Sequence, residues 1–171
     1  TLKRKGVPMT VDYGSKVALE NGVKQVSGAY KVDVSEEGIS VTGYDERGSF
    51  YGLRTLKQIV QMDDSGVIPF CTVSDWPDDP FRGFTDGMSI GRRTHESMMS
   101  LVNLAGSMNM SEFVYAPKDD PYVSSPHWYL SYSQVRADMV EELMDACRSH
   151  HMEFTWCIRP DAEYSWTEED Y

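Results

Sequence analysis

Cysteine is scarce: only three occur among 171 residues, and Cys71, Cys147 and Cys157 show neither a Cys-x-x-Cys pair nor a His/Cys ligand spacing. A disulfide framework and a metal site are therefore not expected, and the three read as small buried hydrophobes. Positive charge is scarce too, with 16 Lys and Arg against 27 Asp and Glu and a formal net charge of −11. Binding to a phosphate backbone depends on clustered cations, so nucleic acid is set aside as a partner. No apolar run approaches the roughly 20 residues of a membrane-spanning helix, so no membrane partner is expected. What remains, 40% hydrophobic and 25% charged residues, is the composition of an ordinary globular protein. No signal peptide is present, but the chain starts at Thr1 without an initiator Met, so no compartment follows.

The periodicities point to a mixed α/β chain. Tyr30, Val32 and Val34 alternate with Lys31, Asp33 and Ser35, and Ile39 and Val41 alternate with Ser40 and Thr42. A period of two predicts half-buried strands, joined by a turn at Glu36, Glu37 and Gly38. Phe50, Leu53, Leu56, Lys57, Ile59 and Val60 then place a stripe at helical spacing, packed on the sheet. Asp45-Glu-Arg-Gly48 looks catalytic by composition, but ahead of a helix it reads as a solvated turn with capping acids. Pro69 to Val73 predicts a further strand, and the proline-punctuated run Asp75 to Pro80 a connector. This divides the chain into domains 1–76 and 77–171.

The second half has the strand, helix, strand, helix, strand rhythm of a parallel sheet. Phe81 to Thr85 is the first strand, and Thr94 to Ala105 is a helix with Thr94 as N-cap and Met98, Leu101, Val102 and Ala105 on one face. Phe113 to Ala116 is the second strand, stopped by Pro117. A second crossover helix runs from Ser133 to Ser149, its stripe passing through Val140, Leu143 and Cys147, and Phe154 to Ile158 follows as the third strand. Lys118, Asp119 and Asp120 come directly after the second strand. If the sheet is part of an α/β barrel, its strand ends are where active sites are built.

The same stretches carry a family resemblance. Tyr115-Ala-Pro-Lys-Asp-Asp-Pro-Tyr122 resembles the block after the second barrel strand of glycoside hydrolase family 84, the β-N-acetylglucosaminidases that include the O-GlcNAcases. Phe81-Arg-Gly-Phe-Thr-Asp-Gly87 is similar to that family's first barrel strand, and Phe154 to Pro160 with Trp166 to Asp170 resembles its third strand and next helix start. Gly28 to Val34, Gly38 to Thr42 and Asp45 to Leu56 resemble the small α/β domain that precedes the barrel in hexosaminidases of families 20 and 84. The fold expected is thus α/β: a small hexosaminidase-type N-terminal domain, its start incomplete, followed by an incomplete (β/α)8 TIM barrel. From Phe81 to Tyr171 the chain holds about a third of the roughly 250 residues a complete barrel takes, which allows about three strands. The chain is expected to be a fragment of a longer protein.

The resemblance implies that Lys118 and Gly87 bind substrate. Lys118 would donate to sugar hydroxyls, against an alternative salt bridge to Asp119 or Asp120 on an exposed loop. Gly87, lacking a Cβ, would let the sugar approach the backbone, or would simply permit a turn. Asp86, where the family usually has Glu, is read as a structural or supporting acid at the pocket. Asp119 and Asp120 are read as acceptors that order the loop before Pro121 and frame the pocket. No catalytic residue is expected in this chain, because the family's catalytic Asp-Asp pair follows the fourth strand, beyond Tyr171. His95 aligns with a family His and is given a capping or supporting role. No cofactor is implied, and the partner implied is an N-acetylglucosamine-containing glycan or glycoconjugate. A secreted or periplasmic location is implied by the resemblance alone.

One wall departs from the family pattern. Gly87-Met-Ser-Ile-Gly-Arg-Arg93 stands where the family reads Gly-Phe-Tyr-Gly-x-Pro-Trp. Two functions therefore stay open: a fragment of a retaining, substrate-assisted glycosidase that removes terminal β-linked N-acetylglucosamine, or a non-catalytic carbohydrate-binding relative. Three parallel strands with an unpaired edge also imply self-association of the incomplete barrel.

Overall fold

A computed structural model describes residues 1–3, 6–62, 65–86, 94–115 and 134–156. The chain divides into two units, Thr1–Pro80 and Phe81–Tyr171, and is mixed α/β with four helices among the described residues.

The first unit is built on a four-stranded sheet of β2 (Met9–Tyr13), β3 (Tyr30–Val34), β4 (Ile39–Gly43) and β6 (Cys71–Asp75), in the order β2-β4-β3-β6. The strand β2 runs parallel to β4, and the other pairs are antiparallel. The short strands β1 (Leu2–Lys3) and β5 (Val67–Ile68) pair separately. Alternation in β3 is as expected, with Tyr30, Val32 and Val34 buried and Lys31 and Asp33 half-buried. The strand expected from Pro69 to Val73 lies two residues later, as β6 from Cys71 to Asp75, and the separate short strand Val67–Ile68 precedes it. Pro69 has no N–H to give a ladder, which puts the break between them.

One short and one longer helix accompany this sheet among the described residues. The helix α1 (Ser15–Glu20) packs its Ala18 into a small cluster with Val23 and Ala29. The helix α2 (Glu46–Gln61) covers the sheet, and of the expected stripe Leu56 is buried while Phe50, Leu53, Ile59 and Val60 pack against the same core. Lys57 is exposed, whereas Gly48, Ser49, Tyr51 and Gly52 are buried beside Leu56. A Cβ on Gly48 would collide with the Ala29 carbonyl oxygen, and one on Gly52 would meet Val41 Cγ1 at 2.7 Å. The helix lies so close to the sheet that only glycine fits at these points.

Asp45 fixes the start of α2. It is half-buried rather than solvated, and its Oδ1 accepts from the Gly48 N–H at 2.8 Å, an N-cap. The same carboxylate accepts from the Gly28 N–H at 3.1 Å and from the Ser27 hydroxyl at 2.6 Å. The loop before β3 is thus tied to the helix start. In the core beneath, the Tyr30 hydroxyl bonds Thr55 at 2.6 Å and donates to Asp75 at 3.2 Å. Burial pushes the Tyr30 phenol above its ordinary value; the Thr55 bond opposes this and Asp75 adds to it.

The second unit is a three-stranded parallel sheet of β7 (Gly83–Asp86), β8 (Glu112–Tyr115) and β9 (Glu153–Trp156), in the order β7-β8-β9. The helix α3 (His95–Ser107) connects β7 to β8, and α4 (Gln134–Ser149) connects β8 to β9. Thr94 caps α3 through the Ser97 N–H at 3.1 Å, as its sequence position implied. Met98, Val102 and Ala105 of α3, Phe113 of β8 and Leu143 and Cys147 of α4 form one buried cluster. The helices also join through side chains: His95 Nε2 lies 2.6 Å from Glu142 Oε2, and His150 Nε2 lies 2.8 Å from Asn103 Oδ1.

Candidate functional site

The candidate site is the carboxyl edge of the parallel sheet. In register, Asp86 of β7 stands opposite Tyr115 of β8, and Tyr115 opposite Trp156 of β9. All three strands therefore end at one level, and the chain leaves each of them from the same edge of the sheet.

That level is set at the other end of the strands. Ser111, 4% exposed and one residue ahead of β8, donates its N–H to the Arg82 carbonyl at 2.9 Å. Its hydroxyl accepts from the Arg82 N–H at 2.8 Å, and its carbonyl accepts from the Glu153 N–H at 2.8 Å. The Arg82 guanidinium donates to the Asn109 carbonyl at 2.8 Å, holding the turn that leads from α3 into β8. One serine thus aligns the starts of β7, β8 and β9. With four residues in each strand, aligned starts give aligned ends.

The strands hold together on one face through aromatic contact. Phe84 stacks on Phe113 with centroids 4.7 Å apart, Phe113 meets Phe154 edge-on at 5.8 Å, and Tyr115 lies between Phe154 at 6.1 Å and Trp156 at 5.8 Å. Phe113 is fully buried against α3 and α4. Successive strand residues point to opposite faces, so Tyr115 and Trp156 share the helix side with Phe113 and Phe154. They support the edge from behind. The opposite face is polar: Thr85 and Thr155 are exposed, Glu112 is half-buried, and the Thr155 hydroxyl donates to Glu112 Oε1 at 2.6 Å.

The expected site residues fall as follows. Asp86 is the last residue of β7, and its side chain is not among the described atoms. Gly87, Lys118, Asp119 and Asp120 lie outside the described residues, as does Cys157. In sequence Gly87 follows the end of β7 directly, and Lys118 comes three residues after the end of β8. His95 bonds Glu142 between the two helices. Ser111 was missed by the sequence reading, since a lone serine before a strand has no local signature and its partner Arg82 is 29 positions away.

Other groups offer little chemistry among the described residues. No cluster of three or more His, Cys, Asp or Glu there could hold a metal ion, and no helix there is long and apolar enough to cross a membrane. Burial pushes the Cys147 thiol up to about 11, so it is a poor nucleophile. A cleft of about 240 Å³ in the first unit is lined by Thr10, Asp33, Ser35 and Glu37, among others. Burial raises the Asp33 carboxyl, but hydrogen bonds from Lys31 and Thr72 and the Lys31 charge outweigh it and leave the group below its usual range. Asp33 is an ion-paired acceptor, not a base in waiting.

A small α/β unit followed by parallel strands and crossover helices is an arrangement shared with the hexosaminidase-type glycoside hydrolases. A model for domain 2 of glycosyl hydrolase family 20 matches residues 2–76. The model of the beta-N-acetylglucosaminidase family matches residues 82–171, more than half of the chain, and the chain belongs to that family. The Beta-hexosaminidase of Vibrio vulnificus is 24% identical over 155 residues, which are 91% of this chain and 16% of that protein. Among solved structures, CpGH84D superposes with a TM-score of 0.77 at 23% identity over 99% of this chain and 31% of its own. CpGH84B gives 0.71 at 26% identity over 85% of this chain and 25% of its own. The chain thus spans well under half the length of each of these relatives.

Proposed function

We propose that this chain is the N-terminal portion of a family 84-type, O-GlcNAcase-like β-N-acetylglucosaminidase, and that β7, β8 and β9 are the first three strands of its (β/α)8 barrel. Residues 1–76 are its hexosaminidase-type N-terminal domain and residues 77–171 the start of the catalytic domain. The observation that carries this reading is the parallel sheet whose three carboxyl ends stand level, since barrel active sites are assembled at that end of the strands. Lys118 and Gly87 contact the sugar in the intact protein. Asp86, Asp119 and Asp120 frame the pocket. The catalytic Asp-Asp pair follows the fourth strand, beyond Tyr171. One Asp orients the substrate acetamide, whose oxygen replaces an enzyme nucleophile, and the other serves as general acid and then base. The substrate is a glycan or glycoconjugate with terminal β-linked N-acetylglucosamine.

The test is hydrolysis of a chromogenic N-acetylglucosaminide. The full-length protein should turn it over, while residues 1–171 alone should show the background rate, because positioned acid-base groups each supply about 10²- to 10⁴-fold and none is proposed here. In the full-length protein Lys118→Ala should weaken binding of N-acetylglucosamine by about 1.5 to 3 kcal/mol, the scale of a hydrogen bond to a charged group. Unchanged affinity by calorimetry would reject the role of Lys118. The departure at Gly87 to Arg93 favours a second reading, a non-catalytic carbohydrate binder. Sugar binding by the full-length protein without turnover would select it.

A further inference from the structure

We draw no further inference here: the strongest candidate, the apolar stripe of Met9, Val11 and Tyr13 along the edge strand β2, is exposed along its length, and nothing in the structure shows what covers it.

Discussion

Replacing Asp45 by alanine tests the most connected carboxylate of the first unit. The substitution removes the N-cap of α2, which costs about 0.5 to 2 kcal/mol in comparable helices. It also strips the Gly28 N–H of its acceptor in a partly buried site, and an orphaned donor costs about 1 to 3 kcal/mol. The Ser27 hydroxyl is exposed and finds water instead, so it adds little. Together the expected loss is about 2 to 4 kcal/mol. For a unit of this size each kcal/mol lowers Tm by about 4 to 8 °C, so the first unit should melt roughly 8 to 32 °C earlier. Asp45→Asn keeps an acceptor oxygen and should lose about half as much, while Asp45→Ser keeps only the cap. Urea unfolding followed by far-UV circular dichroism reads all three. If Asp45→Ala costs less than about 0.5 kcal/mol, the carboxylate is a solvated turn residue and the shared-acceptor argument is wrong.

Phe113→Ala should destabilise the second unit by about 3 to 5 kcal/mol, since the ring is fully buried and touches three other rings, whereas Phe113→Leu should cost about 1.5 or less; equal small losses in chemical denaturation would mean the strand is not packed as described. In a Cys157→Ser background, Cys71 should react with a thiol reagent at pH 8 in the native protein and Cys147 only after unfolding. The sign of the pH effect follows: a thiol raised to about 11 contributes stability that is complete below its unfolded value of 9.0 and is lost as pH rises through about 11. Equal reaction rates for both thiols in the native state would contradict the burial of Cys147. Residues 1–171 alone should self-associate or recruit a strand to the β9 edge. A monodisperse monomer by light scattering would count against the incomplete-barrel reading.

The local patterns carried the strands and helices whose partners are near in sequence. Tyr30, Val32 and Val34 announce β3 because α2 buries that alternate face. The strand β2 carries the same alternation in Met9, Val11 and Tyr13, but the sequence reading missed it; all five of its residues are exposed, and its pairing with β4 joins segments about thirty positions apart. The stripe on α2 holds except at Lys57, which is exposed. A hydrophobic stripe marks where side chains pack, but it does not mark the closest approaches, at Gly48 against Ala29 and Gly52 against Val41, where the lack of a side chain is the contact. At the candidate site, sequence pattern found the strands to within a residue or two and so placed Asp86 at the carboxyl edge. It could not find Ser111 or the Glu112–Thr155 bond, which exist only once β7, β8 and β9 lie side by side.

The two faces of that sheet are unequal, and the inequality bears on what the sheet is part of. A parallel sheet is ordinarily buried on both faces, and its strands then read as continuous apolar runs. Here Phe84, Phe113 and Phe154 meet the helices, but Gly83, Thr85, Glu112, Val114, Glu153 and Thr155 alternate with them on the other side. An open doubly wound sheet would need a second helix layer over that side, and a layer of apolar side chains has little to pack on there beyond Val114. Among the small and polar side chains there, the Glu112 carboxylate accepts from the Thr155 hydroxyl. The small and polar residues on that face are exposed or half-buried among the described residues, so it is the face that an apolar layer would fit least.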